Sequence, residues 1–182
     1  MKKVFQLKSI AGFVVALLIT TAASAQMGGS GKTIPSPRDS VSGVINGAHI
    51  SINYGAPSLR GRKMLGAVNP YGKVWRAGAN EATIFITDKD IMVEGKKLPA
   101  GRYTFYATPG ESEWKVIFNS DAKTGKWGIN RDGSTTDDPA KDVLVVTVKP
   151  KTTPATERLK YTMDSKGFAL AWENVTVPVS IK

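Results

Sequence analysis

One stretch of the chain combines residue types that bind anions. Between Asp39 and Glu81 the sequence has no acidic residue, although basic and aromatic residues are frequent there. The basic residues are Arg60, Arg62, Lys63, Lys73 and Arg76, and the aromatic ones are Tyr54, Tyr71 and Trp75. Guanidinium groups bind carboxylates and phosphates through paired hydrogen bonds, and aromatic faces stack on sugars or on guanidinium planes. The pattern therefore predicts a pocket for an anionic small molecule or glycan.

The contacts are expected in residues 55–81, which connect two predicted strands. The candidate ligand-binding residues are Arg60, Arg62, Tyr71, Trp75, Arg76, Asn80 and Glu81. A connection of this length without regular structure is uncommon and is usually functional or disordered, and its apolar and aromatic content argues against disorder. A purely structural loop is the alternative: Trp75 and Met64 would then cover one end of the fold, and Arg76 would pair with Glu81.

Catalytic residues are indicated only weakly. The single histidine, His49, alternates with Ser51 along a predicted strand, which does not give the geometry of a serine-hydrolase triad, and no G-x-S-x-G segment occurs. The glutamates in or beside predicted strands are Glu81, Glu94, Glu113 and Glu173. Glycoside hydrolysis needs two carboxylates facing one cleft, and no spacing brings two of these together. Glu81, near Arg76, is the weak catalytic candidate.

No metal or cofactor site is predicted from the sequence. The chain has no cysteine, which excludes disulfides, thiolate zinc sites and a cysteine nucleophile. A lone histidine without cysteine does not form the common zinc sites. Asp132, Asp137 and Asp138 lack the alternating spacing of a calcium-binding loop, so we interpret residues 125–141 as a polar connection with turns.

Short runs of alternating apolar and polar residues account for most of the chain after residue 38. Asn46 and Gly47 separate the first two runs and are typical of a tight β-hairpin turn. The stripes expected to face the core are Ile50, Ile52 and Tyr54; Ala82, Ile84 and Ile86; Tyr103, Phe105 and Ala107; Trp114, Val116 and Phe118; Leu144, Val146 and Val148; Leu159, Tyr161 and Met163; Phe168, Leu170 and Trp172; and Val175, Val177, Val179 and Ile181. This pattern predicts an all-β fold, an antiparallel β-sandwich of roughly ten short strands, with a closed barrel as the alternative.

The amino-terminal segment has the layout of a secretory signal peptide. A basic start is followed by an apolar run from Ile10 to about Ala23 and by the small-residue motif that ends at Ala25. The run is shorter than the roughly 20 residues that span a bilayer. A retained signal anchor is the alternative. We therefore expect three parts: a signal peptide at 1–25, a flexible lead-in at 26–37 and a single β-sandwich domain at 38–182.

The expected location is the periplasm or the extracellular space, with a soluble mature chain that has no transmembrane segment. The formal charge is +10, and loss of the three lysines in residues 1–25 leaves +7. A positive charge favours acidic partners such as anionic glycans or lipid headgroups. Nucleic acid is not expected as a partner, because the basic residues are scattered, no nucleic-acid motif occurs, and export separates the protein from it.

Four segments of the chain resemble a known bacterial family. They read SPRDSVSGVINGAHISINYGAPSLRGRKMLG, NPYGKVWRAGANEATIF, EGKKLPAGRYTFYATPGESEWKVIFN and DVLVVTVKP. Together they resemble the exported proteins catalogued as domain of unknown function 2911, from about Ser36 to at least Pro150. The resemblance implies a secreted all-β domain and no specific activity. The family's most distinctive residues map onto Pro57, Gly61, Arg62, Tyr71, Gly72, Trp75, Arg76, Gly78, Asn80 and Glu81.

Two positions depart from the family pattern: Ala56 and Val145 stand where the family commonly has arginine. If those arginines contribute to an anion site, the site in this chain carries less positive charge. The sequence favours a non-catalytic binding module that uses residues 55–81. The alternatives are a hydrolase of envelope glycan or another polymer, with Glu81 oriented by Arg76, and a structural or assembly protein that uses an open sheet edge.

Export can be checked on the intact protein. We expect the purified chain to begin at Gln26, because signal peptidase cleaves after a small-x-small motif such as the one that ends at Ala25. Mass spectrometry of the intact protein from the cell envelope or the medium measures this directly. A chain that still carries residues 1–25 would support the retained anchor instead.

Overall fold

Ten β-strands carry the fold in the computed structural model, which describes residues 36–122, 129–130 and 134–182. The strands are β1 (Arg38–Ile45), β2 (Ala48–Gly55), β3 (Thr83–Thr87), β4 (Ile91–Val93), β5 (Lys96–Leu98), β6 (Gly101–Thr108), β7 (Trp114–Asn119), β8 (Asp142–Val148), β9 (Lys151–Asp164) and β10 (Gly167–Ser180). One short 3-10 turn, Pro139–Lys141, precedes β8. Within the described ranges, no helix has the length and apolarity that crossing a membrane requires.

Six of the strands form one sheet in the order β1-β2-β3-β6-β7-β8. β9 and β10 form a long hairpin, and β4 and β5 form a short one. All of these strand pairs are antiparallel. Because β1 and β8 each have one neighbour in the six-stranded sheet, this sheet is open. The predicted all-β antiparallel sandwich of roughly ten strands is confirmed, although β9 and β10, at 14 residues each, are longer than the short strands expected. The sheets do not close into a barrel.

The two hairpins and one loop segment build the second layer of the sandwich. The carboxyl terminus extends this layer, because the backbone N–H groups of Met92 and Lys182 each donate to the other's carbonyl oxygen, at 2.8 and 2.9 Å. On the other side, Leu159 N donates to Pro57 O at 2.9 Å. The chain that leaves β2 therefore pairs with β9 before it becomes irregular.

Aromatic side chains fill the space between the two layers. Phe105, on β6, has its ring centroid 5.4 Å from that of Phe118, 5.7 Å from that of Phe168 and 6.0 Å from that of Tyr161. Edge-to-face contacts of this kind contribute about 0.5–1.5 kcal/mol beyond the apolar area that they bury. The stripes predicted for β6, β7, β9 and β10 face this core.

The core face predicted for β3 is wrong. Phe85, not Ile84, faces the core, because Phe85 pairs directly with Ile52 on β2 and with Tyr103 on β6. Residues paired directly in an antiparallel sheet share a face. Ile84 is nevertheless buried, at 6% exposure, because the outer face of the sheet is also covered at its centre. Alternation cannot identify the core face of a strand that is covered on both sides.

Residues 134–142 contribute to this outer cover. The side-chain amide of Asn119, on β7, is buried and lies against them. Asn119 Nδ2 donates to Asp142 Oδ1 at 2.8 Å and to Asp138 O at 2.9 Å. This single buried amide therefore ties the polar connection to the sheet. It donates both to the backbone of Asp138, within the connection, and to the side chain of Asp142, where β8 begins.

Asp137 lies in the same cluster, with its carboxyl group partly buried. Burial, followed by the charge and hydrogen bond of Asp142 and the charge of Asp138, raises the pKa of Asp137 to about 6. Lys141 Nζ partly balances the cluster, at 3.4 Å from Asp121 Oδ2 and 3.6 Å from Asp138 Oδ2. Because the folded chain binds this proton more tightly than the unfolded chain, ionisation of Asp137 lowers stability as the pH rises from about 4 to about 6.

Asp137→Asn should remove this pH-dependent loss. At about pH 7.5 the variant is expected to be more stable than the wild type by on the order of 1 kcal/mol, a value that allows for solvent screening of a partly exposed carboxyl group. At about pH 4 the two proteins should be equally stable, because the wild type then holds the proton. Urea denaturation at both pH values measures the difference, and an equal difference at the two would contradict the raised pKa.

Candidate functional site

The 56–80 loop between β2 and β3 is closed at its base by a backbone contact. Ala79 N donates to Gly55 O at 3.2 Å. A Cβ on Gly55 would lie 1.9 Å from Ala79 O, and a Cβ on Gly78 would lie 2.7 Å from Thr83 Oγ1. Glycine is therefore required where the chain leaves and re-enters the sheet, because a side chain at either position would push the two ends of the loop apart.

Ala77, next to this contact, has a left-handed backbone with φ 51°. This conformation is unfavourable for a residue with a Cβ and persists only when its surroundings hold it. The carbonyl oxygen of Ala77 accepts hydrogen bonds from Tyr161 Oη at 2.7 Å and from Thr83 Oγ1 at 3.1 Å. Burial raises the pKa of Tyr161 well above its usual range, so the hydroxyl stays protonated and donates. The end of the loop is thus bonded to β9.

Glu173, at a bulge in β10, holds the first half of the loop. Its backbone is also left-handed, with φ 52°, and the register between β9 and β10 shifts on both sides of it. Glu173 Oε1 accepts the backbone N–H of Leu65 at 2.9 Å and that of Met64. Hydrogen bonds to a carboxylate are stronger than those between neutral groups, and a bulge re-aims a side chain. The bulge therefore turns the carboxylate toward the loop.

Trp75 joins the second half of the loop to both layers. Its backbone exchanges two hydrogen bonds with Ala107 on β6, at 2.7 and 2.9 Å. Its indole stacks on Trp172 of β10, with centroids 5.6 Å apart and an interplanar angle of 14°, and meets Trp114 edge-on at 6.3 Å. The loop is therefore held at its base, at the Glu173 carboxylate and at Trp75, which fixes the position of the side chains between these points.

A cavity of about 630 Å³ lies between the 56–80 loop, Trp172 of β10 and the segment that includes Ser134 and Thr135. Its apolar walls are formed by Pro57, Met64, Val68, Pro70, Val74, Trp75, Ile129 and Trp172. Concave sites of this volume, mostly apolar with a few converging polar groups, are typical of small-molecule binding.

The polar side chains of the cavity are mostly hydrogen-bond donors. They belong to Asn69, Lys73, Arg76, Ser134, Thr135 and Trp172. No acidic residue in the described part of the chain lines this cavity. Asn69 Nδ2 and Trp172 Nε1 are buried, and neither has a protein acceptor among the described residues. An unpaired buried donor costs about 1–3 kcal/mol, so an acceptor atom that reached either donor would bind favourably.

Arg76 brings a partly buried positive charge to the cavity. Its Nε donates to Gly78 O at 3.4 Å. Burial lowers the pKa of Arg76, and the charge of Glu81 opposes this shift. The guanidinium group remains protonated near neutral pH, because the pKa of arginine starts above about 12. Lys73, which is exposed, adds a second cation to the lining.

These residues lie within a stretch that is characteristic of a protein family, whose match covers residues 36–181. The chain belongs to the family described as protein of unknown function, DUF2911. The family predicted from the sequence is thus confirmed. The match also extends beyond Pro150 through β9 and β10, so that Trp172 and Glu173 belong to the family's domain. Comparisons with curated proteins and with solved structures gave no match.

Of the seven predicted binding residues, Trp75 and Arg76 line the cavity. Arg62 lies elsewhere in the loop and binds the loop's own backbone: its Nε donates to Leu59 O at 3.0 Å and its Nη2 to Ser58 O at 3.1 Å. These bonds stabilise the turn that follows the segment paired with β9. The contribution of Arg62 is therefore to the conformation of the loop.

Arg60 and Tyr71 also lie outside the cavity lining. The backbone N–H of Arg60 donates to Glu157 Oε1 at 2.9 Å, and its side chain is exposed. The Tyr71 ring packs over Gly66, where a Cβ would lie 2.8 Å from the ring, and Tyr71 remains 41% exposed. Tyr71 therefore covers a turn of the loop on its outer side.

Asn80 and Glu81 bind residues just before and at the start of β1. Asn80 Nδ2 donates to Ser36 O at 2.7 Å. Glu81 Oε2 lies 3.6 Å from Arg38 Nη1, and the same Nη1 donates to the carbonyl oxygen of Glu81 at 3.2 Å. Glu81, on which the hydrolase alternative depends, thus forms its ion pair with Arg38 and does not line the cavity.

Five of the six described polar residues of the cavity were not among the predicted binding residues: Asn69, Lys73, Ser134, Thr135 and Trp172. Asn69 and Lys73 lie in the acid-free loop, and Lys73 belongs to its basic set without being a candidate. Trp172 was expected in the core, and it does pack there. The sequence gives one indication that Trp172 also lines the cavity. The acidic residue Glu173 directly follows the apolar stripe of β10, and the strand bulges at this position.

No group of three or more His, Cys, Asp or Glu side chains in residues 36–122, 129–130 and 134–182 is placed to hold a metal ion. Of the aspartates considered for calcium, Asp132 lies outside the described residues. Asp138 is engaged by Lys141, and its side chain accepts the backbone N–H of Ala140 at 3.2 Å. These interactions are those of a turn.

Substitutions of Glu173 test whether its carboxylate holds the loop. Glu173→Ala leaves two backbone N–H groups without their acceptor and should lower the free energy of unfolding by about 2–4 kcal/mol. Glu173→Gln keeps an acceptor oxygen and should lose less than half as much. Glu157→Ala, which removes the acceptor of one exposed N–H in the same loop, is the matched control and should cost about 1 kcal/mol or less. Urea denaturation measures all three, and similar small losses in both alanine variants would show that Glu173 is not the anchor.

Proposed function

We propose that the protein is an exported, non-catalytic binding module whose ligand binds in the cavity beside the 56–80 loop. The observation that carries this proposal is the presence of two buried donors, Trp172 Nε1 and Asn69 Nδ2, that have no protein acceptor in the described residues and belong to residues lining one cavity. Buried polar groups in folded proteins are nearly always hydrogen-bonded. A ligand with acceptor atoms would pair these donors once the side chains of Asn69 and Trp172 shift to expose them to the cavity.

The charges around the cavity support an anionic ligand. Lys73 and Arg76 are the ionisable side chains of its lining in the described ranges, and both are basic. Arg60, Arg62 and Lys63 lie in the same loop and are exposed to solvent. Basic residues clustered without acids create a positive potential that attracts anions. An anion would supply acceptors to the two donors and would be attracted by the charges of Lys73 and Arg76.

A binding role fits the cavity better than the hydrolase alternative does. General acid–base catalysis needs a group that exchanges protons near the working pH, most often histidine or a carboxylate. The cavity lining, as far as the chain is described, offers arginine and lysine instead. The purely structural alternative explains the packing of Trp75, but it gives no partner to the donors of Asn69 and Trp172.

Export is proposed on the sequence. Residues 1–25 have the basic start, apolar run and small-residue motif of a signal peptide. A protein that reaches the periplasm or the medium by this route would meet small anions and anionic surfaces of the cell envelope, which are compatible with its positive charge.

Asn69→Leu separates binding from stability. The two side chains are similar in size, and the change removes a buried donor that has no protein acceptor. The free energy of unfolding should therefore stay within about 0.5 kcal/mol of the wild-type value or increase. Ligand affinity should fall about fivefold or more, because one hydrogen bond to the ligand is lost.

Melting curves with phosphate, citrate, glucuronate, hexanoate and a sulfated glycan provide the measurement. A compound that binds the folded chain raises its melting temperature, and the strongest of the five is then titrated against the wild type and Asn69→Leu. The proposal is overturned if none of the five raises the melting temperature, or if Asn69→Leu binds the strongest one with wild-type affinity.

A further inference from the structure

We infer that the ligand is an organic anion with an acceptor-only head group and an apolar body, and not a glycan or a sugar acid. The inference rests on the proposed function and narrows it to a ligand class. Three features of the cavity carry it: the aliphatic walls, the predominance of donors over acceptors, and the packing of the two tryptophans against each other.

The walls suit an apolar body. Met64 is buried, at 6% exposure, whereas Val68 is 57% exposed although it lines the same cavity. The lining therefore includes an exposed side chain, Val68, a buried one, Met64, and a half-buried one, Val74. An aliphatic chain placed along these side chains leaves water, and each methylene group that it buries increases affinity about fourfold.

The donor set suits a head group that only accepts hydrogen bonds. The side chains of Lys73 and Arg76, which line the cavity, donate and cannot accept. A carboxylate or sulfonate brings acceptors alone, and its hydrogen bonds to cations are the stronger, charge-assisted kind. A polyol brings a donor with every acceptor, so its hydroxyl hydrogens would compete for the few acceptors present and would lose water without full compensation.

The tryptophans are not arranged as a platform for sugars. A sugar ring stacks on an aromatic face that is open to solvent. Trp75 and Trp172 stack on each other at 5.6 Å, and they are 8% and 1% exposed. The faces that pack together are thus unavailable to a ligand. Tyr71, the exposed aromatic residue of the loop, packs over Gly66 and does not line the cavity.

Isothermal titration calorimetry on the purified protein tests the ligand class with matched probes. Hexanoate and hexanesulfonate have the head and the body, hexanamide has the body without the charge, acetate has the head without the body, and glucuronate is a hydroxyl-rich acid. The two C6 anions should bind at least about tenfold more tightly than the other three. From butanoate to hexanoate, affinity should rise about fourfold for each methylene. The fluorescence of Trp75 and Trp172 should change on binding.

Two lysines of the loop provide a charge-matched pair of variants. Lys73→Gln should weaken hexanoate binding about threefold or more and leave hexanamide binding unchanged, because Lys73 lines the cavity. Lys63→Gln removes the same charge from an exposed position of the loop outside the lining and should bind hexanoate like the wild type.

The outcomes separate the ligand class from the proposed function. If hexanamide or glucuronate binds as tightly as hexanoate, and Asn69→Leu weakens that binding, the cavity is a binding site and the inferred ligand class is wrong. If Lys73→Gln and Lys63→Gln weaken hexanoate binding equally, hexanoate is attracted by the overall charge of the protein and not by Lys73 in the cavity. That result also overturns the inferred ligand class. If no probe binds here and none of the five compounds raises the melting temperature, the proposed function itself fails.

Discussion

The cavity depends on the backbone contact between Gly55 and Ala79. This contact fixes the two points at which the 56–80 loop leaves and re-enters the six-stranded sheet, and it exists because Gly55 has no Cβ to separate the strands. Once the ends are joined, most of the entropy of closing the loop has been lost, so few further contacts are needed to select one conformation. Glu173 and Trp75 supply them, and the loop stands over a cavity instead of collapsing into it.

Unfavourable local features concentrate around the same loop. Ala77 and Glu173 have left-handed backbones, and Asn69 and Trp172 have the buried donors without protein acceptors among the described residues. Each feature costs stability by itself, and the two-layer core of aromatic side chains offsets the sum. Natural proteins usually depart from local preference where the departure serves binding or catalysis. The coincidence of these features with a cavity that carries donors is the physical basis for proposing it as the binding site.

The parts of the fold that the sequence predicted well are those governed by local chemistry. Asn46 and Gly47 form the expected hairpin turn, with φ values of 50° and 80°, and ten antiparallel strands follow from period-two alternation. The face of β3 was not predictable, because both Phe85 and Ile84 are buried and only the pairing with Ile52 decides between them. In the site, Trp75 and Arg76 follow from the acid-free composition of the loop. Trp172 does not, because a tryptophan in a core stripe gives no sign that its N–H lacks a partner.

The sequence by itself determined the all-β class, the family, the hairpin turns and the acid-free, arginine-bearing loop, because each of these depends on residue type and short-range spacing. The tertiary structure alone decided which members of that loop share a cavity. Arg62 binds backbone carbonyls of its own loop, Glu81 pairs with Arg38, and Arg76 shares a cavity with Trp172, which comes from a strand about a hundred positions away. Such assignments depend on where the loop closes and on how β10 bulges. Both are set by long-range backbone contacts, which alternation and composition do not encode.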